Sequence, residues 1–240
     1  KRISIVVAAL LFSLSFPLGA NARQLNADET AQILSRFAEA TAAPINQNGI
    51  LTGEDVADPD ALTGYSPLPT VDYTASDPEN TAGRSMEKIE HSYGVARDGK
   101  PHSISVESQR YFNEHGCRAV TYDDKSEGKR LYLTFDCGYE NGNTEKILDV
   151  LQEKKVPAAF FCTLYQVQSQ PELTARMIRD GHIVGNHSDT HPDFSTLTGE
   201  EIAGQLENFD NHMRQKFGYC APYFRFPEGA YSEYALAEVN

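Results

Sequence analysis

Two histidines that lie four positions apart, His187 and His191, are the residues whose types and spacing point most directly to chemistry. In one turn of helix this spacing would place both imidazoles on one face, close enough to share a metal ion. Alone the pattern is weak, since loop histidines are commonly solvated. It gains weight because it follows the apolar stretch "HIVGN", and because Asp136 ends another such stretch. Together these residues favour a hydrolytic zinc site.

A carboxylate and a guanidinium could complete this site. Asp136 is a candidate general base, which would take a proton from the attacking water. Arg225 interrupts the apolar stretch "YFRFP", and a buried arginine needs a charged partner. Other interpretations stay open: Asp136 could cap a helix, and Arg225 could be an ordinary surface residue. A contact between the two would favour the ionised carboxylate, so the structural and the functional interpretations overlap.

The elements that must position these residues alternate between strands and helices from residue 128 onward. Strands are predicted in "RLYLTFD", "PAAFFCT", "HIVGNH" and "YFRFP". Helices are predicted in "TEKILDVLQEKK", "PELTARMIRDG", "TGEEIAGQLENFDNHMRQKFG" and "SEYALAEV", with Thr144 capping the first and a Thr198–Glu201 capping box before the third. This alternation predicts an α/β fold with a parallel sheet, whose carboxyl edge gathers the candidate residues.

The residues before this domain divide into three predicted segments. Residues 1–22 have the basic start, the apolar run and the Ala-Asn-Ala pattern of an export signal peptide; an uncleaved anchor is the alternative, although the run is short for a membrane span. Residues 23–85 are expected to hold a helix at 26–42 and then a largely disordered linker. Residues 86–127 form a lead-in segment of uncertain structure, with strand-like alternation in "HSISVESQRYF".

Composition narrows the partners and the location of the chain. Its 240 residues suffice for a full-sized core, and its net charge of −13 argues against a nucleic-acid partner, because acidic chains repel phosphate backbones. The export signal predicts a secreted or cell-envelope protein with no stable membrane span after cleavage. The four cysteines match no compact zinc-finger spacing, and export permits disulfides without requiring them.

Three motifs, "TFDCG", "HSDTH" and "RFPEG", resemble in this order the first three motifs of the polysaccharide deacetylases, the carbohydrate esterases with the NodB homology domain. Longer stretches, "LTFDCGYENGNT", "GHIVGNHSDTHPDFSTLT" and "RFPEGAYSEYAL", are similar to one subgroup, the delta-lactam-biosynthetic de-N-acetylases. The resemblance covers residues 128–240. It implies a distorted (β/α) barrel of the NodB type, truncated at its carboxyl end. It also implies metal-dependent deacetylation of peptidoglycan, at N-acetylmuramic acid, by attack of metal-bound water on the acetamide.

The resemblance also implies roles for individual residues. Asp136 would be the catalytic base and Arg225 would orient it, while His187 and His191 would bind a divalent metal, expected to be zinc. The histidine that protonates the leaving amine in this family belongs to later motifs, which are expected beyond Asn240.

Two loops are expected to contact substrate. The first could line a sugar subsite or simply close onto the barrel. In the second, the resemblance implies a backbone N–H near Glu228 that stabilises the oxyanion. The family usually has tyrosine or arginine at position 228, and the glutamate charge would disfavour an anionic substrate. The expected substrate-binding residues are Tyr139, Glu140, Asn141, Pro227, Glu228 and Gly229.

Cys137 stands where the family usually has a second aspartate, its third metal ligand, and three interpretations stay open. As a thiolate ligand it would favour zinc over magnesium or manganese. As half of a disulfide it would pair best with Cys162. As a passive small side chain it would leave the two histidines as the protein ligands.

Two rival functions stay open at this point. One is a catalytically inactive glycan-binding protein of the cell wall, which Cys137 and Glu228 favour. The other is a deacetylase or esterase that acts on chitin oligomers or xylan. The joint presence of Asp136, Arg225 and the two histidines argues for an enzyme, because a pure binding protein needs no such set. The oligomeric state is not indicated by any pattern in the sequence.

Overall fold

The computed structural model describes residues 68–91, 100–121 and 132–240, together with three short strands nearer the amino terminus. The helix predicted at 26–42 lies outside the described residues, as does most of the predicted signal peptide. The cleavage of that signal stays a prediction.

Ten strands occur in the described part of the chain, and six of them form one sheet. In chain order they are β1 (Ala9–Leu11), β2 (Ile45–Asn46), β3 (Gly49–Ile50), β4 (Ile89–Glu90), β5 (Ala119–Val120), β6 (Thr134–Cys137), β7 (Ala159–Cys162), β8 (Ile183–Asn186), β9 (Tyr223–Phe224) and β10 (Ala230–Tyr231). The large sheet has the order β5-β1-β9-β8-β7-β6, while β2 pairs with β3 and β4 pairs with β10. Strands β6 to β9 are parallel, which confirms the predicted parallel sheet, and β1 is antiparallel to both of its neighbours.

This sheet is open in the part of the chain that the structure describes. Its outer strands, β5 and β6, do not pair with each other. Four parallel strands are too few for a barrel, since closure around a filled interior takes about eight. The prediction of an α/β fold with parallel strands is therefore confirmed, whereas the predicted barrel is not.

Six α-helices occur among the described residues: α1 (Ser103–Glu114), α2 (Thr144–Lys154), α3 (Leu164–Ser169), α4 (Pro171–Arg179), α5 (Gly199–Phe217) and α6 (Glu233–Val239). The capping box of Thr198 and Glu201 is present at the start of α5, as predicted. Pro171 begins α4, where a missing N–H leaves no hydrogen bond unmade. Within these described ranges, none of the helices combines the length and the apolar surface that a bilayer span requires.

The structure contains two helices that the sequence patterns did not predict. The segment that holds Ile104 and Val106 is helix α1 rather than a strand. Its buried residues Ser105, Gln109 and Phe112 are spaced by four and three positions, so this helical period outweighs the short alternation. Helix α3 was not predicted, because its six residues are too few to show a period.

Residues 68–85 belong to the predicted disordered linker, but the structure differs from that prediction. Leu68 is buried, and Val71 exchanges two hydrogen bonds with the side chain of Asn211 on α5. Farther along, the N–H groups of residues 76 and 77 donate to the carboxylate of Glu238 on α6. Composition indicated disorder because the segment is poor in apolar residues. Its order comes from polar groups on the helices rather than from a core of its own.

The helices α2 to α5 cover one face of the sheet. Phe160 and Val184 of the strands pack there against Phe209 and Met213 of α5, in an apolar core. Because successive side chains of a strand point to opposite faces, Asp136 and its neighbours in register face the other way. The helix-covered face therefore supplies stability, while the other face is left for the site.

Candidate active site

Asp136 and Arg225 form an ion pair at the carboxyl edge of the sheet. Nη1 of Arg225 donates to Oδ1 of Asp136 at 2.5 Å. The Asp136 side chain is 49% exposed, whereas that of Arg225 is only 13% exposed. The guanidinium carbon lies 4.0 Å from the centre of the Phe161 ring, and burial lowers the pKa of Arg225 against the opposing effect of Asp136. The aromatic face and the carboxylate together hold the arginine in one place.

Gly185 explains why the Phe161 ring can lie under Arg225. A Cβ atom added to Gly185 would lie 2.6 Å from Cδ1 of Phe161 and 3.2 Å from the carbonyl oxygen of Tyr223. No larger residue fits on β8 at this point without moving the ring. The sequence analysis missed both Phe161 and Gly185, and the only signal was a glycine inside a predicted strand.

His187 and His191 come together through a loop that follows β8. Their ring centres are 4.9 Å apart, with the ring planes at 78°. The chain turns back because Ser188 and His191 adopt left-handed backbone conformations, with φ of 74° and 58°. The predicted helical turn is therefore wrong, since a right-handed helix has no positive φ. The close approach of the two imidazoles is nevertheless present.

The buried position of His187 determines which of its nitrogens is available. Its Nδ1 lies 2.9 Å from the carbonyl oxygen of Arg225, and a carbonyl can only accept, so Nδ1 carries the proton. The side chain is 3% exposed, and this burial lowers the pKa of His187, although the charge of Asp136 opposes the shift. The ring is therefore held neutral with Nε2 unprotonated, which is the form that binds a metal.

Side chains of α5 hold the loop that carries the histidines. Oε1 of Gln205 accepts from the N–H groups of Asp189 and Thr190, at 3.1 and 2.9 Å. Nε2 of Gln205 donates to the hydroxyl of Thr190, and Asn208 donates to the carboxylate of Asp189. These bonds satisfy the backbone of an irregular loop and keep it in one conformation.

Cys137 lies on the other side of β6 from Asp136. Together with Phe135 it packs against the apolar core under the helices. It lies opposite Cys162 in register, and the thiol of Cys162 donates to the carbonyl oxygen of Phe160 at 3.8 Å. The neighbouring Cys137 side chain and full burial raise the pKa of Cys162, and all four cysteines are free. Cys137 is thus free and packs against the core, which supports the passive interpretation over the disulfide and the thiolate ligand.

The side chains gathered at this site offer a divalent metal two imidazole ligands, those of His187 and His191. Catalytic zinc usually has three protein ligands and one open position. Among the residues that the structure describes, no group of three or more histidine, cysteine, aspartate or glutamate side chains is placed to hold a metal ion. The residues that could hold one are His187, through Nε2, and His191. The prediction of Cys137 as a further metal ligand is not supported.

The first predicted substrate loop divides into exposed residues and a structural one. Tyr139 is 72% exposed, and Asn141 is also at the surface. Glu140, in contrast, caps α2: its Oε1 accepts from the N–H groups of residues 142 to 144. Hydrogen bonds from Thr144 and from the neighbouring N–H groups lower the pKa of Glu140. The predicted cap at Thr144 was therefore wrong, because Oε1 of Glu140 caps α2. The contact of Glu140 with a sugar stays a prediction.

The second predicted substrate loop is a tight turn next to Arg225. Glu228 is exposed, and both Glu228 and Gly229 are left-handed, with φ of 57° and 66°. The N–H of His91 donates to the carbonyl oxygen of Gly229 at 2.9 Å, and a Cβ atom on Gly229 would collide with the His91 carbonyl. Strand β4, which pairs with β10, thus holds this turn in place, and Pro227 is buried.

Comparison with known proteins relates the chain to a family. Residues 123–240 match the polysaccharide deacetylase family model. The peptidoglycan-N-acetylmuramic acid deacetylase PdaA of Bacillus subtilis is 44% identical over 120 residues, which make up 50% of this chain and 46% of that protein. The chain spans about half the length of the curated relatives it matches.

Solved structures agree with this match. The structure of Bacillus subtilis PdaA, a family 4 carbohydrate esterase, is similar with a TM-score of 0.54 and 32% identity, over 64% of this chain and 65% of that one. A family 4 carbohydrate esterase from Bacillus anthracis is 35% identical over 64% of this chain and 69% of that one, with a TM-score of 0.49. These matches confirm the resemblance carried by the three motifs, and the chain belongs to the polysaccharide deacetylase family of carbohydrate esterases.

Proposed function

We propose that this chain removes acetyl groups from N-acetylated sugars of peptidoglycan, with N-acetylmuramic acid as the preferred sugar, in a metal-dependent hydrolysis. The observation that carries the proposal is the Asp136–Arg225 pair, set at the same edge of the sheet as His187 and His191. The relative named as an N-acetylmuramic acid deacetylase supports the choice of sugar. Residues 1–22 support an extracytoplasmic location, where peptidoglycan lies.

The histidines are the residues that would hold the metal. Family 4 carbohydrate esterases are metalloenzymes in general, which supports this assignment. Zinc is our choice, because imidazole nitrogens suit it well. When bound, the metal would act as a Lewis acid on the acetamide and on the attacking water.

Asp136 is the residue that would accept the proton of the attacking water. Its carboxylate is half-exposed, so water and substrate can reach it. Arg225 donates to one of its oxygens and leaves the other for the proton. Because Arg225 is itself fixed on the Phe161 ring, the carboxylate is held in one orientation before substrate binds.

The turn after Arg225 would stabilise the negative charge that develops on the acetamide oxygen. Pro227 has no N–H, and the N–H of Gly229 donates to Phe226. The N–H of Glu228 is therefore the donor that this turn offers to an oxyanion. Glu228 has a left-handed backbone conformation, which is strained for a residue with a side chain, and this conformation would direct its N–H towards the oxyanion.

A cell-wall glycan-binding protein without activity is the second candidate function. One observation favours it: the described residues provide two histidines and no third protein ligand. A metal held by two ligands is bound more weakly than one held by three, which would leave catalysis dependent on the metal supply.

The test is acetate release from defined glycans by the full chain in the presence of Zn²⁺. Peptidoglycan strands and chitin oligomers would be compared, with products located by mass spectrometry on the muramic acid or the glucosamine unit. Loss of acetyl groups from muramic acid supports the proposal. Loss of acetyl groups from glucosamine alone would show that glucosamine, rather than muramic acid, is the sugar that is deacetylated. Retention of the glycan on the immobilised protein without acetate release would establish the binding protein instead.

A further inference from the structure

A buried polar cluster lies behind the histidine loop, on the helix-covered face of the sheet. Its centre is Asp210 of α5, which is 4% exposed. The hydroxyl of Tyr73 donates to Oδ2 of Asp210, and Nδ2 of Asn186 donates to Oδ1 at 3.4 Å. Burial raises the pKa of Asp210 to about 7 and also raises that of Tyr73, so the tyrosine remains a donor. The assumed role of Asp136 in the reaction makes no use of this second carboxyl.

Asn186 connects the cluster to the loop. Besides Asp210, its Nδ2 binds the carbonyl oxygen of Leu206 at 3.1 Å. With both protons of the amide engaged, its Oδ1 is directed to the N–H of Ser188, at 2.8 Å. The hydroxyl of Ser188 then accepts from the N–H of His191 at 2.9 Å. Four side chains thus form one continuous path from Tyr73 to the second histidine.

The middle of this path, from Asp210 to Ser188, is buried, so a missing partner there is expensive. Asn186 is 2% exposed and Ser188 is fully buried. A buried carboxyl with one unpaired oxygen would turn to find a donor, and Asn186 would lose its bond. Arg214 also faces Asp210, but its Nη1 donates to Sγ of Cys220 at 3.2 Å. Tyr73 is therefore the group that holds the outer oxygen of Asp210.

Tyr73 comes from a part of the chain that the family match at residues 123–240 does not include. Its segment lies along α5, where the Val71–Asn211 bonds hold the backbone. A segment that looked like a linker thus reaches the back of the site.

We propose that Tyr73 is a positioning residue: through Asp210, Asn186 and Ser188 it holds His191 beside His187. The use made of the two histidines rests on the proposed function. The mechanical coupling does not, because it concerns hydrogen bonds within the chain alone.

The test is amide hydrogen exchange, measured by NMR on the full chain and on two variants that each lack one buried hydroxyl. Tyr73→Phe removes the hydroxyl that begins the path. Tyr219→Phe is the matched control, because the Tyr219 hydroxyl binds the N–H of Val184 at 3.1 Å on the same strand as Asn186 and touches neither Asp210 nor Ser188. In Tyr73→Phe the amides of Ser188 and His191 should exchange roughly three- to tenfold faster. In the control they should stay within about twofold, while Val184 exchanges faster.

Zn²⁺ affinity, measured by calorimetry on the same proteins, separates the two proposals. A several-fold weaker affinity in Tyr73→Phe alone supports both. Absence of Zn²⁺ binding in every variant and in the wild type would remove the metal from the proposed function, while the exchange rates would still decide the coupling. Unchanged exchange at His191 in Tyr73→Phe, or equal acceleration in both variants, overturns the inference. If Tyr73→Phe does not fold, Asp210→Asn makes the same test from the middle of the path.

Discussion

Asp136 on strand β6 and Asp210 on helix α5 are two carboxyl groups on opposite sides of one sheet, and their surroundings give them different tasks. Asp136 is half-exposed and paired with the charged Arg225. Asp210 is buried, and its hydrogen bonds come from the neutral groups of Tyr73 and Asn186. A charged partner and access to water suit a carboxylate that accepts protons. Neutral donors and burial suit a carboxyl group that fixes the positions of its neighbours. The residue type is the same, and the face of the sheet decides the role.

The largest expected effect is at Asp136. The change Asp136→Asn keeps the shape of the side chain and removes the proton acceptor. We expect kcat for acetate release to fall by about 10²- to 10⁴-fold. Thermal stability should also fall, because the change removes the charge that Asp136 presents to the largely buried Arg225. The measurement is initial-rate kinetics at saturating Zn²⁺.

The matched control for this prediction is Asp149→Asn. Asp149 is 63% exposed on α2 and pairs with Arg176, away from the site. Its replacement should leave kcat unchanged. Activity of Asp136→Asn within tenfold of the wild type would remove Asp136 from the role of general base.

On the covered face, the expected effect is on the pH dependence of stability. The pKa of Asp210 is raised by burial from 3.8 to about 7, although the bond from Tyr73 and the charge of Arg214 oppose the shift. Between these two values the folded chain keeps a proton that the unfolded chain has lost. The contribution of Asp210 to the free energy of unfolding is therefore full below the lower value and falls as the pH rises towards the upper one.

The change Asp210→Asn removes this titration. Urea unfolding at several pH values between about 4 and 8 should show a free energy of unfolding that falls less steeply with pH in the variant than in the wild type. Parallel curves would show that Asp210 does not titrate in this window. The same variant should keep measurable deacetylase activity, in contrast to Asp136→Asn, and this difference separates the two faces.

A smaller effect is expected in the loop that follows β6. Tyr139 is 72% exposed, and such a ring can stack on a sugar. Tyr139→Ala should raise KM for glycan roughly two- to tenfold and leave kcat unchanged. Val150→Ala, at an exposed residue of α2, is the control and should alter neither constant. An unchanged KM in Tyr139→Ala would show that the Tyr139 ring does not contribute to glycan binding.

The smallest effect on function is expected at Cys137, which neighbours Asp136 in sequence but packs on the covered face. Cys137→Ser should keep Zn²⁺ affinity and kcat within about twofold, since the thiol takes no part in the site. It should lower the free energy of unfolding by about 1–3 kcal/mol, because a hydroxyl enters an apolar core. A tenfold loss of Zn²⁺ affinity would indicate that Cys137 is a metal ligand and would contradict its place in the apolar core.

Much of the fold was determined by local patterns of the sequence. The alternation of strands and helices, the capping box at Thr198 and the parallel pairing of β6 to β9 were all predicted, because periodicity and caps depend on neighbouring residues. The cap of α2 was predicted wrongly, and the structure of α1 was left uncertain, because local signals competed at both places.

The sequence was sufficient to predict which residues form the site, but not how they are arranged. Asp136, His187, His191 and Arg225 were found from residue type and from their positions at strand ends. The left-handed loop that joins the histidines, the Phe161 ring under Arg225 and the inward turn of Cys137 were not, because each depends on contacts between residues far apart in the chain.

What only the tertiary structure decided is which groups meet across the sheet. No local pattern relates Tyr73 to Asp210, 137 positions away, or marks Asn186 as the link from that pair to the histidine loop. The sequence by itself determined which residues have the chemistry to act, because side-chain type and strand position are local properties. The packing of α5 and of residues 68–85 against the sheet decided how those residues are held, because burial turns each polar contact into a constraint that distant parts of the chain must satisfy together.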